Sequence, residues 1–89
     1  MQTKELEEKE VDLKEEDQKE IILYNDDVNT FDWVIQCLID ICEHDAMQAE
    51  QCTLLVHYKG KCSVKTGSYD ELKPKCTALL ERGLSAEIE

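Results

Sequence analysis

The folds open to this chain are limited first by an alternation of strand-type and helix-type hydrophobic patterns after residue 20. Ile21 to Tyr24 is a short, β-branched apolar run followed by turn-forming residues, which is typical of a strand. Over residues 31–44 the apolar side chains recur at three- and four-residue steps, which indicates an amphipathic helix. With 89 residues in total, the sequence predicts one small domain with a modest core.

A second short helix and a hairpin are expected next. Asp45 can cap this helix, which would end near Cys52. Thr53 to Tyr58 and Lys61 to Thr66 are rich in residues that favour strands. The intervening Lys59-Gly60 is typical of a hairpin turn. These patterns predict two adjacent antiparallel strands.

A third helix is predicted near the C-terminus. Ser68 and Glu71 have the spacing of a capping box, and the helix would run to Arg82 with Gly83 as its stop. Pro74 lies inside this segment and is expected to bend the helix or delay its start.

The last predicted element is a closing strand over the alternating residues 84–88. The predicted order is β-α-α-β-β-α-β, which is an α+β fold. It would be a small sandwich with three helices packed on an antiparallel sheet.

The charge balance excludes several classes of partner. There are 21 acidic and 10 basic side chains, a formal net charge of -11, whereas nucleic-acid binding depends on clustered Lys and Arg. No apolar run approaches the roughly 20 residues of a membrane span, and the N-terminus lacks a secretory signal pattern. The sequence therefore predicts a cytoplasmic protein with no nucleic-acid and no membrane partner, and its charge suits a cationic ligand.

Residues 1–19 differ in composition from the rest of the chain. They are rich in charged side chains, and the apolar Leu6, Val11 and Leu13 keep no helical period. Such a segment cannot bury enough surface to offset the entropy lost on ordering. We expect a flexible acidic N-terminal extension over 1–19 and a core domain over 20–89, with a transient helix held by Glu/Lys pairs as the alternative for the extension.

The five cysteines are expected to be reduced, mostly buried thiols. Their number is odd and no two of them have the C-x-x-C spacing of a zinc knuckle. Small apolar side chains would serve equally well at most of these positions. We therefore expect no metal and no cofactor. The cysteines are Cys37, Cys42, Cys52, Cys62 and Cys76.

A polar run separates the first strand from the first helix. Asn25, Asp26 and Asp27 are followed by Asn29 and Thr30, although a helix start needs only about one capping acceptor. Asn29 or Thr30 can supply that cap. The preceding Asn and Asp residues are either ordinary turn formers or acceptors for a ligand.

Three motifs in this order resemble the ClpS family of adaptors, which bring N-degron substrates to Clp unfoldases. They are Asn25-Asp26-Asp27 after the first strand, Val56-His57-Tyr58-x-Gly60-Lys61, and Ser68-x-x-Glu71. The resemblance covers residues 20–89. It implies a non-enzymatic adaptor with two partners: a Clp-type AAA+ unfoldase, ClpA-like or ClpC-like, with its peptidase, and substrates that start with Leu, Phe, Tyr or Trp.

The resemblance also implies roles for individual residues. The substrate's free α-amino group would be held by Asn25, Asp26 and His57. Its first side chain would enter an apolar pocket lined by Leu23, Phe31, Val34, Thr53 and Val56. The loop that supports the site would include Asp27, Asn29 and Thr30. The surface that contacts the unfoldase would include Asp70 and Lys75.

Elementary chemistry agrees with an ammonium ligand. An ammonium has three donors and no acceptor, so its site must supply acceptors from different directions. Asn25 offers a carbonyl oxygen, Asp26 a carboxylate and neutral His57 a ring nitrogen. Hydrogen bonds that involve a charged group are among the stronger ones.

Three departures from the family pattern affect the predicted pocket. The loop reads Val28-Asn29-Thr30 where the family usually has Thr-Pro. Phe31 stands where the family often has Met, and Thr53 replaces a larger apolar residue. One alternative is therefore a regulator that docks on the unfoldase without binding N-degrons. Another is an enzyme that uses Cys62 or Cys52 with His57, although no third residue would orient the base.

Overall fold

The computed structural model describes residues 18–89. Its elements follow the order β-α-α-β-α-β. They are β1 Gln18–Tyr24, α1 Phe31–Cys42, α2 Ala46–Lys59, β2 Lys61–Ser68, α3 Tyr69–Glu81 and β3 Ser85–Ile88. The α+β class, with three helices packed on an antiparallel sheet, is confirmed.

β1 is the central strand of a three-stranded sheet with the order β2-β1-β3. It pairs antiparallel with both neighbours, so that Leu23 lies between Cys62 of β2 and Ala86 of β3. Beyond the end of β1, the backbone N–H of Asn25 donates to the carbonyl of Gly60 at 2.9 Å. The polar loop after β1 is thereby fixed to the turn that precedes β2.

The predicted helix starts are confirmed by their caps. Thr30 Oγ1 accepts from the backbone N–H of Trp33 at 3.2 Å, so Thr30 rather than Asn29 caps α1. Asp45 caps α2 in the same way. α3 begins directly after Ser68, whose hydroxyl accepts from the Glu71 N–H at 3.2 Å. Pro74 lies within α3 and does not delay its start.

The predicted strand over Thr53 to Tyr58, and with it the hairpin, is wrong. This segment is the second half of α2, which continues to Lys59 instead of ending near Cys52. Gly60 is its C-terminal cap, with φ at +93° and its N–H bonded to the Val56 carbonyl at 3.0 Å. Its left-handed conformation is the one in which helices commonly end. Within residues 18–89 the sheet therefore has three strands and not four.

The helical pattern of α2 is carried by small residues. Its buried positions are Ala49, Cys52, Thr53 and Val56, which follow the i, i+3, i+4, i+7 spacing of one helix face. The Thr53 hydroxyl donates to the Ala49 carbonyl at 2.7 Å, so burial leaves no unpaired donor there. Packing of this face against the sheet overrides the strand preference of the second half of α2.

One core lies between the helices and the sheet. Its largest fully buried side chains are Ile21, Leu23, Leu38, Leu72, Leu79, Cys37 and Cys42. Four cysteines are buried and Cys62 is half-buried, and all five are free thiols. Burial raises the pKa of the Cys42 thiol to about 11, which makes the reactive thiolate rare.

Most of the predicted acidic extension lies outside the described residues. Gln18 and Lys19, which the sequence assigned to it, are the first residues of β1. In the part of the chain from Gln18 onward, no helix has the length and apolar character needed to cross a membrane.

Candidate ligand-binding pocket

A small pocket of about 50 Å³ lies where the end of β1, the following loop, the start of α1 and the end of α2 meet. Its apolar wall consists of Leu23, Phe31, Val34, Val56 and Leu84. Its polar side chains are Tyr24, Asn25, Asp26, Asn29, Thr53 and His57. The structure thus brings together all the residues for which the sequence predicted α-amino binding or pocket lining.

The helical form of α2 is what allows Val56 and His57 to line the same pocket. In the predicted strand, two consecutive side chains would point to opposite faces. In a helix, Thr53 has Val56 and His57 as its i+3 and i+4 neighbours, so all three lie on adjoining parts of one face. The error in secondary structure therefore concealed the geometry that brings these side chains together.

Asp26 is held by hydrogen bonds from its own loop. Its Oδ1 accepts from the backbone N–H groups of Val28 and Asn29, both at 3.0 Å. The Asn29 side-chain amide lies 3.0 Å from Oδ1 and 2.9 Å from Oδ2. Partial burial alone would raise the pKa of the Asp26 carboxyl, but the bonds from Asn29 and Val28 together lower it below the ordinary value of 3.8. At neutral pH the pocket therefore contains a carboxylate.

His57 lies in the last turn of α2, at the mouth of the pocket. Its ring meets the Phe31 ring edge-on, with centroids 5.1 Å apart and an interplanar angle of 70°. The Tyr58 ring contacts the imidazole in a similar way at 4.9 Å. Such edge-to-face pairs fix ring orientation. His57 as a residue is exposed to solvent.

The three residues of the predicted supporting loop have different positions relative to the pocket. Asn29 lines the pocket and bonds Asp26, whereas Thr30 caps α1. Asp27 is exposed and does not line the pocket. Sequence reasoning missed two lining residues, Tyr24 and Leu84. Tyr24 adjoins Asn25 at the strand end, and Leu84 follows the glycine that stops the last helix. Their positions in the sequence could therefore have indicated that both lie near the pocket.

The two residues predicted to contact the unfoldase lie on α3 and do not line the pocket. Asp70 is exposed in the first turn of α3. The Lys75 ammonium is 3.1 Å from Glu43 Oε1 and 3.2 Å from the Ile41 carbonyl oxygen. The hydrogen bond from Lys75 lowers the pKa of the Glu43 carboxyl. Lys75 therefore joins α3 to the end of α1.

Thiol chemistry at this site has little support. Burial, followed by the hydrogen bond with Cys62, raises the pKa of the Cys52 thiol to about 12. The His57 ring contacts Phe31 and Tyr58. Among residues 18–89, no group of three or more His, Cys, Asp or Glu side chains is arranged to hold a metal ion.

Comparison with known proteins gives consistent matches in sequence. The profile of the family described as ATP-dependent Clp protease adaptor protein ClpS matches residues 14–87. A ClpS adapter protein of Acetivibrio thermocellus is 39% identical over 79 residues, which cover 89% of this chain and 78% of that protein. The ClpS adapter protein of Oleidesulfovibrio alaskensis is 39% identical, over 72% of this chain and 64% of its own length. For that of Edwardsiella ictaluri, 41% identity extends over 70% of this chain and 58% of the relative.

The fold has a similar counterpart among solved structures. The structure of Agrobacterium tumefaciens ClpS2 bound to L-phenylalaninamide matches with a TM-score of 0.71. The match covers 82% of this chain and 98% of that chain at 20% sequence identity, so it establishes the shared fold alone. Because the family profile covers most of the sequence and the Acetivibrio relative is 39% identical, the chain belongs to the ClpS family of ATP-dependent Clp protease adaptor proteins.

Proposed function

We propose that this protein is a non-enzymatic cytoplasmic adaptor that captures proteins by a hydrophobic N-terminal residue and delivers them to a Clp-type AAA+ unfoldase. Substrates starting with Leu, Phe, Tyr or Trp would place the first side chain against the apolar wall of the pocket. Their free α-amino group would lie at the polar rim. The unfoldase and its peptidase would then degrade the captured protein.

The observation that carries this proposal is the combination of an apolar wall and polar acceptors in one small pocket. Asn25, Asp26 and His57 come from two separate segments of the chain and meet beside Leu23 and Val56. An ammonium needs acceptors from several directions, and an apolar side chain needs an apolar surface that excludes water. A free N-terminal residue with an apolar side chain carries both groups on the same Cα atom.

Electrostatics supports the same ligand. The lowered pKa of Asp26 keeps a negative charge at the rim at neutral pH. The net charge of -11 favours the approach of a cation. The ligand bound to Agrobacterium ClpS2, L-phenylalaninamide, has a free α-amino group and an apolar side chain. By analogy, we extend this kind of ligand to the present chain.

A second candidate function, a regulator that docks on the unfoldase without binding N-degrons, is favoured by the size of the pocket. It encloses only about 50 Å³, and Phe31 lies against His57 at its mouth. The Asp26 oxygens already accept several hydrogen bonds within the loop. Such a protein would keep the α3 surface with Asp70 and bind no free N-terminus.

Calorimetric titration with matched peptides distinguishes the two functions. Peptides that differ only in their first residue are compared as free amines and as acetylated forms. Acetylation removes the charge and leaves the acceptors unpaired, so we expect a loss on the order of 2–4 kcal/mol. Equal binding of both forms would contradict the proposal. An absence of peptide binding combined with intact binding to the unfoldase would establish the regulator.

A matched pair of variants tests the carboxylate. Asp26→Asn removes the charge at the rim while it retains the shape of the side chain. Asp32→Asn removes the same charge from the first turn of α1, outside the pocket lining. The proposal expects the first variant to lose peptide binding and the second to bind like the parent.

A further inference from the structure

Asn29 connects three acceptors through one side-chain amide. Its Nδ2 lies 3.0 and 2.9 Å from the two carboxylate oxygens of Asp26 and 2.9 Å from the carbonyl oxygen of Gly83. None of these oxygens can donate a hydrogen bond, so only the NH₂ end of the amide can face them. The two N–H bonds are thus divided between the Asp26 carboxylate and the Gly83 carbonyl.

This arrangement determines which Asp26 oxygen remains open. Oδ1 accepts from two backbone N–H groups and from the Asn29 amide, which exceeds the ordinary capacity of one oxygen. Oδ2 accepts from the Asn29 amide alone. Oδ2 therefore keeps acceptor capacity for a ligand. The bond from the Asn29 amide fixes the orientation of this oxygen.

The contact with Gly83 connects the same amide to the apolar wall. Gly83 ends the turn after α3 with φ at +89°, and its N–H donates to the Leu80 carbonyl at 3.0 Å. The next residue, Leu84, is buried and lines the pocket. Asn29 thus lies between the carboxylate at the rim and the turn that places one of the apolar side chains.

We propose that Asn29 is a positioning residue that fixes Asp26 Oδ2 relative to the apolar wall at Leu84. This inference rests on the proposed function and deepens it. A first residue must satisfy its α-amino group and its side chain simultaneously, and the two groups are separated by a fixed covalent distance. By bonding both Asp26 and Gly83, Asn29 holds the two halves of the pocket at a set separation.

The hydrogen bonds from Asn29 contribute to the lowered pKa of the Asp26 carboxyl, so the titration of Asp26 probes this arrangement. Tyr24 on β1 and His57 on α2 are the other titratable side chains that line the pocket, and Asp27 is the next residue in the loop. Arg82, the residue before Gly83, donates a hydrogen bond from its guanidinium to Asp40 at 2.9 Å. Removal of the Asn29 amide is therefore expected to raise the Asp26 pKa.

The test compares two variants that each remove one hydrogen bond to the same turn. Asn29→Ala deletes the side-chain bonds to Asp26 and Gly83 and keeps the bond from the residue 29 backbone N–H to Asp26 Oδ1. Trp33→Phe deletes the bond from the indole Nε1 to the Arg82 carbonyl, which measures 3.0 Å, and keeps an aromatic ring beside the Arg82 guanidinium. Trp33 is outside the pocket lining. Asn29→Ser keeps a turn-forming residue without the amide and replaces the alanine variant if that variant does not fold.

Two readouts are measured for each protein. The first is the affinity for a free-amine peptide starting with Leu at several pH values. The second is the Asp26 carboxyl titration followed by ¹³C NMR without peptide. We expect Asn29→Ala to bind the peptide about tenfold more weakly. Its Asp26 pKa should be raised, so its affinity should begin to fall at a higher pH than in the parent as the solution is acidified. Trp33→Phe should match the parent in both readouts, even if its melting temperature falls.

The outcomes separate this inference from the function on which it rests. Parent-like affinity and an unchanged Asp26 titration in the Asn29 variant would overturn the positioning role and leave the proposed function intact. The same change in the pH dependence of affinity in Trp33→Phe would also overturn the positioning role. The effect would then result from loosening the turn after α3 and not from loss of the Asn29 amide. A parent that binds acetylated and free peptides equally, or neither, would remove the proposed function and this inference with it.

Discussion

The rings of Phe31 and His57 meet edge-to-face across the mouth of the pocket, with their centroids 5.1 Å apart. Phe31 is the first residue of α1, and His57 lies in the last turn of α2. The opening is therefore bounded by two helix ends that approach one another. Phe31 is 40% exposed and lines the pocket, so it is not one of the buried core residues.

Truncation of this aromatic side chain should change which first residues are accepted. We expect Phe31→Ala to widen the entrance and improve the affinity for Trp-first peptides relative to Leu-first peptides, by on the order of tenfold. The measurement is the ratio of the two dissociation constants in parent and variant. Val28→Ala is the control, because Val28 is 87% exposed and does not line the pocket. An unchanged ratio would show that Phe31 does not limit the size of the first residue.

The sequence predicted the fold class and helix caps well because they depend on local signals. Asp45 and Ser68 bond the expected backbone N–H groups. It failed at Thr53 to Tyr58, where a β-branched and aromatic composition suggested a strand. The buried face of α2 is built from Ala, Cys, Thr and Val, so its apolar contrast is too weak to be recognised without the sheet against which it packs.

The residues of the candidate site were predicted from motif resemblance. Their detailed hydrogen bonds could not be predicted from the sequence. The bonds of Asp26 to its own loop depend on the conformation between β1 and α1. The contact between Asn29 and Gly83 joins residues 54 positions apart. Such long-range contacts follow from tertiary packing, so a single sequence does not indicate them.

Gly60 should be sensitive to substitution even though space is available around it. Its φ of +93° is unfavourable for residues with a Cβ atom, and nothing lies within 4 Å of an added Cβ. We expect Gly60→Ala to lower the free energy of unfolding by about 1–2 kcal/mol through backbone strain alone. Denaturant unfolding provides the measurement. Gly67→Ala is the control, because Gly67 lacks a positive φ and its added Cβ would make contacts of 3.5 Å or longer. Equal losses in both variants would contradict the strain argument.

The stability of the protein should depend on Asp26 at acidic pH. Its pKa in the folded protein is lowered below the ordinary value of 3.8, so the unfolded chain takes up this proton first as the pH falls. The carboxylate therefore stabilises the fold fully at pH values above 3.8, and this contribution is lost as the pH falls through the lower, folded-state pKa. We expect the difference in unfolding free energy between parent and Asp26→Asn to shrink in that range. A difference that stays constant down to about pH 2 would show that ionisation of Asp26 does not stabilise the loop.

Delivery to the unfoldase should be separable from peptide binding by changes on α3. Asp70 is exposed in the first turn of this helix and does not line the pocket, so it is available to a partner protein. We expect Asp70→Lys to leave peptide affinity unchanged but to slow degradation of a Leu-starting reporter by a reconstituted Clp unfoldase and peptidase. Glu81→Lys is the matched control, because it reverses the same charge at the exposed C-terminal end of the same helix. Lys75 is less suitable for this test, since its bonds to Glu43 and Ile41 hold α3 against α1 and its removal would also affect stability. Equal slowing by both charge reversals would point to a general electrostatic effect, and full degradation with Asp70→Lys would remove Asp70 from the contact surface.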